Sequence, residues 1–459
     1  MGIRLDWESD SASSGKASSY VAKEDPERRR ARARARARFL LVFLGGLIVL
    51  GVLAAVVVWR LNEANAYIES LLRDTVEAEF AALRLGDWNA YTDIQRSATA
   101  DWTVQQRGAF DAFQSRKLSG QVNLSGTVRD VEIDGTRGRV MVEWIDGGAP
   151  ITQAWFYWRY EDGWRHVPAD LTFWGEATEL RGSLVTVAHR SVDADLAKEM
   201  GVRVESWVAA TCGPILQCGD LPHITLDIRA DFYLSSGWDN SQPWRLMIPS
   251  PYIKGARADA PFSGETLVTV ADAVASRLVS ISVGTSDPFN TTTDAGNLVS
   301  AVQTWLLGEY SRIDTGATVI DSLSAQRGNA AVGQLLKTLT PDSTLDAVLD
   351  AFGTANPTDP VIDWRDFLRA RVRLESDYIT QGNSDAVVAL YIDEMRSRAF
   401  ERSQAAAAQS GVEVRLVQSV TAPDGSPTLI ATVVFGTGDI TTEESVYFYW
   451  RGGTWLRAS

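Results

Sequence analysis

Apolar positions run without a break from 39 to 59, Phe-Leu-Leu-Val-Phe-Leu-Gly-Gly-Leu-Ile-Val-Leu-Gly-Val-Leu-Ala-Ala-Val-Val-Val-Trp. A helix of about 20 apolar residues spans a hydrocarbon core of about 30 Å, and its backbone bonds close internally, as lipid requires. Past residue 60 the pattern shortens. Alternation of apolar and polar positions predicts strands over 124–133, 138–144 and 153–159, and a further strand opening at Trp164. The series returns at 412–420, 429–435 and 445–451, with a last strand from Trp455. The third strands, Gln153-Ala-Trp-Phe-Tyr-Trp-Arg159 and Ser445-Val-Tyr-Phe-Tyr-Trp-Arg451, share Phe-Tyr-Trp-Arg, and each enters a Gly turn followed by Trp, a hairpin pattern. Upstream of each series a helix ends in Gly and the chain restarts toward a tyrosine: 78–86 with Trp88 and Tyr91, and 374–382 with Asp385 and Tyr391.

Between the two series the texture differs. A strand over 184–189 leads into a helix over 193–210, strands follow at 223–230 and 244–249, and then helices at 265–283, 294–310, 322–340 and 345–352. Asp342-Ser-Thr marks the start of the last helix and Gly353 its stop. Strands followed only by helices predict a separate α+β domain. The expected organisation is a disordered basic leader at 1–38, a transmembrane helix at 39–59, and three domains at 65–175, 176–364 and 365–459.

Charge sets the expected topology. Ten Lys/Arg and six Asp/Glu precede residue 39, which leaves 34 against 52 beyond it. Basic residues stay on the cytoplasmic side and Trp59 suits the far interface. The chain therefore reads as single-pass in the cell membrane, with its N-terminus cytoplasmic and its C-terminal domains extracytoplasmic, touching the bilayer through 39–59. A cleaved signal peptide has a shorter apolar stretch and a small-residue cleavage site; here Arg60-Leu61-Asn62-Glu63 follows. An acidic ectodomain argues against nucleic acid as a partner, and the arginines at 28–38 read as topology signals. Residues 10–23, rich in Ser and Ala, are expected to be disordered. Arg outnumbers Lys and Ala is abundant, as in G+C-rich bacterial genomes, so the sequon at Asn290 is read as accidental.

The two cysteines, Cys212 and Cys218, lie beyond the apolar run, where disulfides persist. A Gly-Pro-containing gap lets them meet, and a disulfide is expected. Two reduced core thiols are the other reading; a metal site lacks a second ligand pair.

Helices followed by a curved antiparallel sheet, with the aromatic hairpin, resemble the nuclear-transport-factor-two-like (SnoaL-like) superfamily over 65–175 and 365–459. The resemblance implies two helix-packed, cystatin-like cones, a fold that hosts enzymes, binding pockets and scaffolds alike. The region 176–364 resembles the peptidase-MA-like (gluzincin) metallopeptidases, most closely in Thr344-Leu-Asp-Ala-Val-Leu-Asp-Ala-Phe-Gly353 followed by Asp363-Trp-Arg-Asp-Phe-Leu368. That family places His, Glu and His where this chain has Asp272, Ala273 and Ser276. Two imidazoles one helical turn apart grip zinc while the Glu activates water, and neither Ala nor Ser replaces them. In Trp305-Leu-Leu-Gly308-Glu309-Tyr310 the third ligand position holds Gly308, and Glu309 sits one place late, rotated by about 100°. The resemblance thus implies a degenerate domain without catalytic residues, metal or cofactor.

The histidines His166, His189 and His223 form no helical pair, and neither a G-x-S-x-G elbow nor a phosphate-binding glycine loop occurs. The cone interiors offer aromatic sets, Trp144, Trp155, Tyr157 and Trp164 in the first and Tyr447, Tyr449 and Trp455 in the second. Alternate strand residues share a face, so each set reads either as core packing or as a ligand pocket. The expected fold is α+β, and the expected role is binding or scaffolding of an envelope protein or peptide. An active hydrolase with an unrecognised site and a secretion-system-type scaffold are the alternatives.

Overall fold

A single helix, α1 (Pro26–Leu85), carries the apolar run. The computed structural model describes residues 26–97, 99–283, 289–404, 411–422, 424–437 and 440–458; the expected disorder at 10–23 lies outside them. The chain divides into two units, Met1–Asp74 and Thr75–Ser459. In the first unit the stretch beginning at Phe39 is long and apolar enough to cross a membrane, and its apolar side chains are exposed. Such a helix near an N-terminus is either a membrane anchor or a signal sequence.

The second unit is α+β. It opens with the end of α1, where Val76, Phe80 and Leu83 are buried at helical spacing. Helices α2 (Trp88–Ile94) and α3 (Ala100–Leu118) follow; α3 was not expected. Strands β1 (Val122–Asp134), β2 (Arg137–Asp146), β3 (Ala149–Tyr160) and β4 (Gly163–Val167) form an antiparallel meander. Gly147 and Gly148 both take positive φ in the β2–β3 turn, as a two-residue hairpin needs. Gly126 lets β1 cross α1, because a Cβ there would stand 2.9 Å from Cγ of Phe80.

The next strands are β5 (Ala177–Arg181) and β6 (Val185–Arg190), then α4 (Ala194–Cys212), β7 (Ile224–Arg229), β8 (Gly237–Trp238) and β9 (Arg245–Pro249). They form a mixed sheet in the order β5-β6-β7-β9-β8, with β6, β7 and β9 parallel and α4 as a crossover. Strand β10 (Ala256–Arg257) leaves this sheet and pairs with β3. Helices α5 (Gly264–Ser282), α6 (Asp294–Ser311), α7 (Thr318–Arg327), α8 (Asn329–Thr338) and α9 (Asp346–Phe352) complete the region. The single helix expected over 322–340 is two, because Gly328 adopts φ +81°, a conformation that no helix continues. Gly353, at φ +65°, ends α9 as a left-handed cap. Cys212, the last residue of α4, is disulfide-bonded to Cys218.

Helices α10 (Arg365–Thr380), α11 (Ser384–Ala389) and α12 (Arg396–Ser403) precede a second antiparallel meander, β11 (Val412–Thr421), β12 (Pro427–Thr437), β13 (Ile440–Arg451) and β14 (Thr454–Arg457). One apolar core runs without a break from Phe156 in the first meander through Leu226, Val274 and Leu336 to Phe448 in the second.

Candidate functional site

Asp272, Ala273 and Ser276, and Gly308 and Glu309, the positions that the resemblance sets against a zinc site, lie on α5 and α6, two helices packed on each other. Asp272 is exposed and accepts a 2.9 Å hydrogen bond from Nε2 of Gln303. Ala273 presents only its carbonyl, to Nε1 of Trp238 at 3.2 Å. Ser276 is half-buried. Gly308 sits where a Cβ would press on the carbonyl of Ile313 at 3.1 Å, and its own carbonyl accepts from Arg312 N. Glu309 is exposed, about 9 Å along α6 from the residue that Asp272 reaches. The structure does not bring Asp272 and Glu309 together, and no three metal-ligating side chains converge among the described residues.

The aromatic set of the first meander is buried. Trp155 stacks on Phe80 at 5.0 Å and on His166 at 5.1 Å, and Trp144 meets Phe113 edge-on at 5.6 Å. The indole N–H groups of Trp144, Trp164 and Trp455 are buried without an acceptor among the described residues, so surrounding packing must outweigh that desolvation.

Beside these rings each meander holds a buried carboxylate that the sequence reading missed. Glu79 on α1 is fully buried and accepts from Tyr157 Oη at 2.8 Å, Gln95 Nε2 at 2.8 Å and His166 Nδ1 at 2.7 Å. Burial and then the Glu79 charge push the Tyr157 phenol far above its ordinary range. Glu375 on α10 accepts from Tyr391 Oη at 2.9 Å, Arg457 Nη1 at 2.6 Å and Arg402 Nε. Both carboxylates are enclosed and bonded through both oxygens. They anchor helix to sheet rather than face a substrate.

Tyr447 and Tyr449 do not share a face with Trp455. Phe448 pairs with Leu429 and Arg457 on the face toward α10, and Trp455 pairs with Trp450 on that same face. Tyr447 and Tyr449 therefore point the other way, beside Ile430 and Leu456. Leu416, Val420 and Tyr447 on this outer face are 51%, 41% and 40% exposed. The corresponding face of the first meander is covered. Phe156 stacks on Trp174 at 6.0 Å, Arg139 donates to the carbonyl of Phe173 at 3.1 Å, and Met141 and Ala154 belong to the shared core.

A cleft of about 640 Å³ lies on one face of the mixed sheet, lined by Arg190 at the end of β6, Asp227 and Arg229 of β7, Asp231, and Arg245, the first residue of β9. Asp227 is buried and bonded to Arg229 at 2.7 Å and Arg245 at 3.0 Å, so the cleft's central charge is neutralised internally. The alternation Thr225, Asp227, Arg229 along β7 is the sequence signal that would have located it. His189 is buried and bonds through Nδ1 to the carbonyl of Arg190, and His223 bonds to Thr186.

No family of known proteins, no curated protein and no solved structure matches this chain.

Proposed function

We propose that this chain is a membrane-anchored extracytoplasmic binding or scaffolding protein, held in the bilayer by 39–59, with two cone-like domains around a peptidase-like domain that does not hydrolyse peptides. The observation that carries the reading is the outer face of the second meander. Leu416, Val420, Ile430, Tyr447 and Tyr449 form an aliphatic and aromatic surface there, while the equivalent face of the first meander is packed over by Phe173 and Trp174. A solvent-facing apolar patch of this kind marks an interaction site, and tyrosines are favoured at interface centres. The partner is an envelope protein or peptide; the acidic surface disfavours nucleic acid. Against hydrolysis stands the chemistry of the side chains: Ala273 has no proton acceptor and Gly308 no ligand atom.

The test is a photo-crosslinking residue in place of Leu416 in the full-length protein in its native envelope, with Val202, an exposed residue of α4, as the control position. A discrete protein adduct from 416 and none from 202 is expected. Absence of any adduct at 416, or chelator-sensitive peptide cleavage by the purified chain lost in Asp272→Ala, would overturn the reading.

A further inference from the structure

We propose that the free edge of β13 binds, by strand addition, an extended segment of a partner protein that carries arginine or lysine. This deepens the binding reading above and rests on it. The two meanders make the comparison. In the first, β4 covers β3 only from Phe156 to Tyr160. The remaining edge is filled by β10, with Ala256 opposite Thr152, Arg257 opposite Ile151, and Ala258 N donating to the carbonyl of Pro150 at 2.8 Å. In the second, β14 covers β13 only from Phe448 to Arg451, and Ala458 N reaches the carbonyl of Tyr447 at 2.7 Å. Among the described residues no strand pairs with 441–446 on that side. Both third strands are 12 residues long and leave a hairpin from β2 or β12, so Thr442 and Glu443 stand where Ile151 and Thr152 receive β10.

The phase of the edge is fixed by the Tyr447 carbonyl. Alternate residues of an antiparallel strand bond to the same side, so Thr441, Glu443 and Ser445 present their N–H and C=O groups outward. Such an edge is a template for another strand. Its side chains select the occupant. Glu443 is exposed on the outer face, whereas Glu444 turns inward to Arg457 at 3.0 Å. A basic residue opposite Glu443 is favoured and a like charge is disfavoured. A second copy of this chain, pairing β13 with β13, would bring glutamates together. A strand with its basic residues on the outer face, opposite Glu443, turns its alternate apolar residues to the inner face, on the side of Thr442 and Val446.

The experiment uses the full-length chain in nanodiscs and two short peptides, one alternating valine with arginine and one alternating valine with glutamate. Amide hydrogen exchange is followed across 441–446. The arginine peptide should slow exchange there and bind about fivefold tighter than the glutamate peptide, the worth of exchanging one favourable cross-strand charge pair for a repulsive one. Glu443→Lys should reverse the ranking. Ser445→Pro removes an edge-facing N–H while sparing the bonds to β12, and should abolish protection without lowering the melting temperature. Unchanged exchange under saturating arginine peptide, an unaltered ranking in Glu443→Lys, or protection that grows with protein concentration alone would overturn the proposal. Crosslinking from position 416 that persists when no peptide protects the edge would leave the binding reading standing without strand addition; loss of that crosslink in the unmodified edge would remove the binding reading itself.

Discussion

His166 and Arg457 occupy the same place in the two meanders, and each bonds to a carboxylate buried on the helix packed against its sheet. His166 lies opposite Tyr157 and meets Glu79; Arg457 lies opposite Phe448 and meets Glu375. Each is also tied through its backbone to the segment after the second helix, His166 to Arg96 and Arg457 to Leu390 and Ile392. The same mechanical joint is thus built once around an imidazole and once around a guanidinium.

Both joints are buried, but the second sets a guanidinium, which stays charged, against a carboxylate, with Arg457 and Glu375 only 2% and 3% exposed. Removing one partner of a buried ion pair strands the other charge and costs about 3–5 kcal/mol. Glu375 keeps Arg402 as a second cation, so Arg457→Met should lower unfolding free energy by less than that in urea titrations. Adding Glu375→Leu to the same chain should recover part of the loss, because the carboxylate that lost a partner is then gone.

Trp155 and Tyr447 separate core from surface. Trp155 is enclosed by Phe80 and His166, so Trp155→Ala should cost about 3–5 kcal/mol. Tyr447→Ala, at a residue 40% exposed, should cost clearly less than Trp155→Ala and should weaken crosslinking from position 416.

The repeated Phe-Tyr-Trp-Arg motif shows what the sequence made visible and what it hid. It locates β3 and β13 as corresponding strands, and alternation locates most other strands. Yet Phe156 points away from α1 while Phe448 points toward α10. The first strand continues one residue past its arginine before turning, with Tyr160 opposite Gly163, whereas the second turns at once, with Arg451 opposite Thr454. A slip of one residue exchanges the two faces of a strand, and nothing in the motif itself encodes it. The split at Gly328 was legible as a glycine but masked by apolar spacing on both sides. Glu79 and Glu375 were not singled out, because an isolated glutamate in a helix reads as solvated until its partners from distant strands are known. Two-residue β10 is set by tertiary pairing alone.

The disulfide between Cys212 and Cys218 has a direct chemical check. Alkylation of the native, non-reduced chain should label neither thiol. Because the loop it closes is short, reduction should cost only about 2 kcal/mol by the loop-entropy relation, read as a modest fall in denaturation midpoint rather than loss of fold.

Topology is testable without a partner. With the basic residues before the apolar run retained on the cytoplasmic side, a C-terminal reporter that works only outside the cytoplasm should be active. Activity of a strictly cytoplasmic reporter fused at the same place would reverse the orientation.

Asp193 and Asp366 give the fold a defined response to acid. Burial pushes both carboxyls up from 3.8 to about 6, against hydrogen bonds from Ser250 and Trp174 to Asp193, and from Phe367 N and Thr318 to Asp366. A carboxyl whose folded pKa exceeds its unfolded one binds its proton more tightly in the native state. Its contribution to stability is therefore complete below about pH 4 and is lost as pH rises through 6. A shift of about 2 units corresponds to about 3 kcal/mol for each group at most. Asp193→Asn keeps an acceptor for the Trp174 indole without carrying the charge, and should therefore be more stable than the parent at pH 7 and similar to it at pH 4. Urea unfolding of both chains across that window isolates the residue from every other titrating carboxylate; a stability difference that stays constant with pH would show that Asp193 is neutral, or charged, throughout.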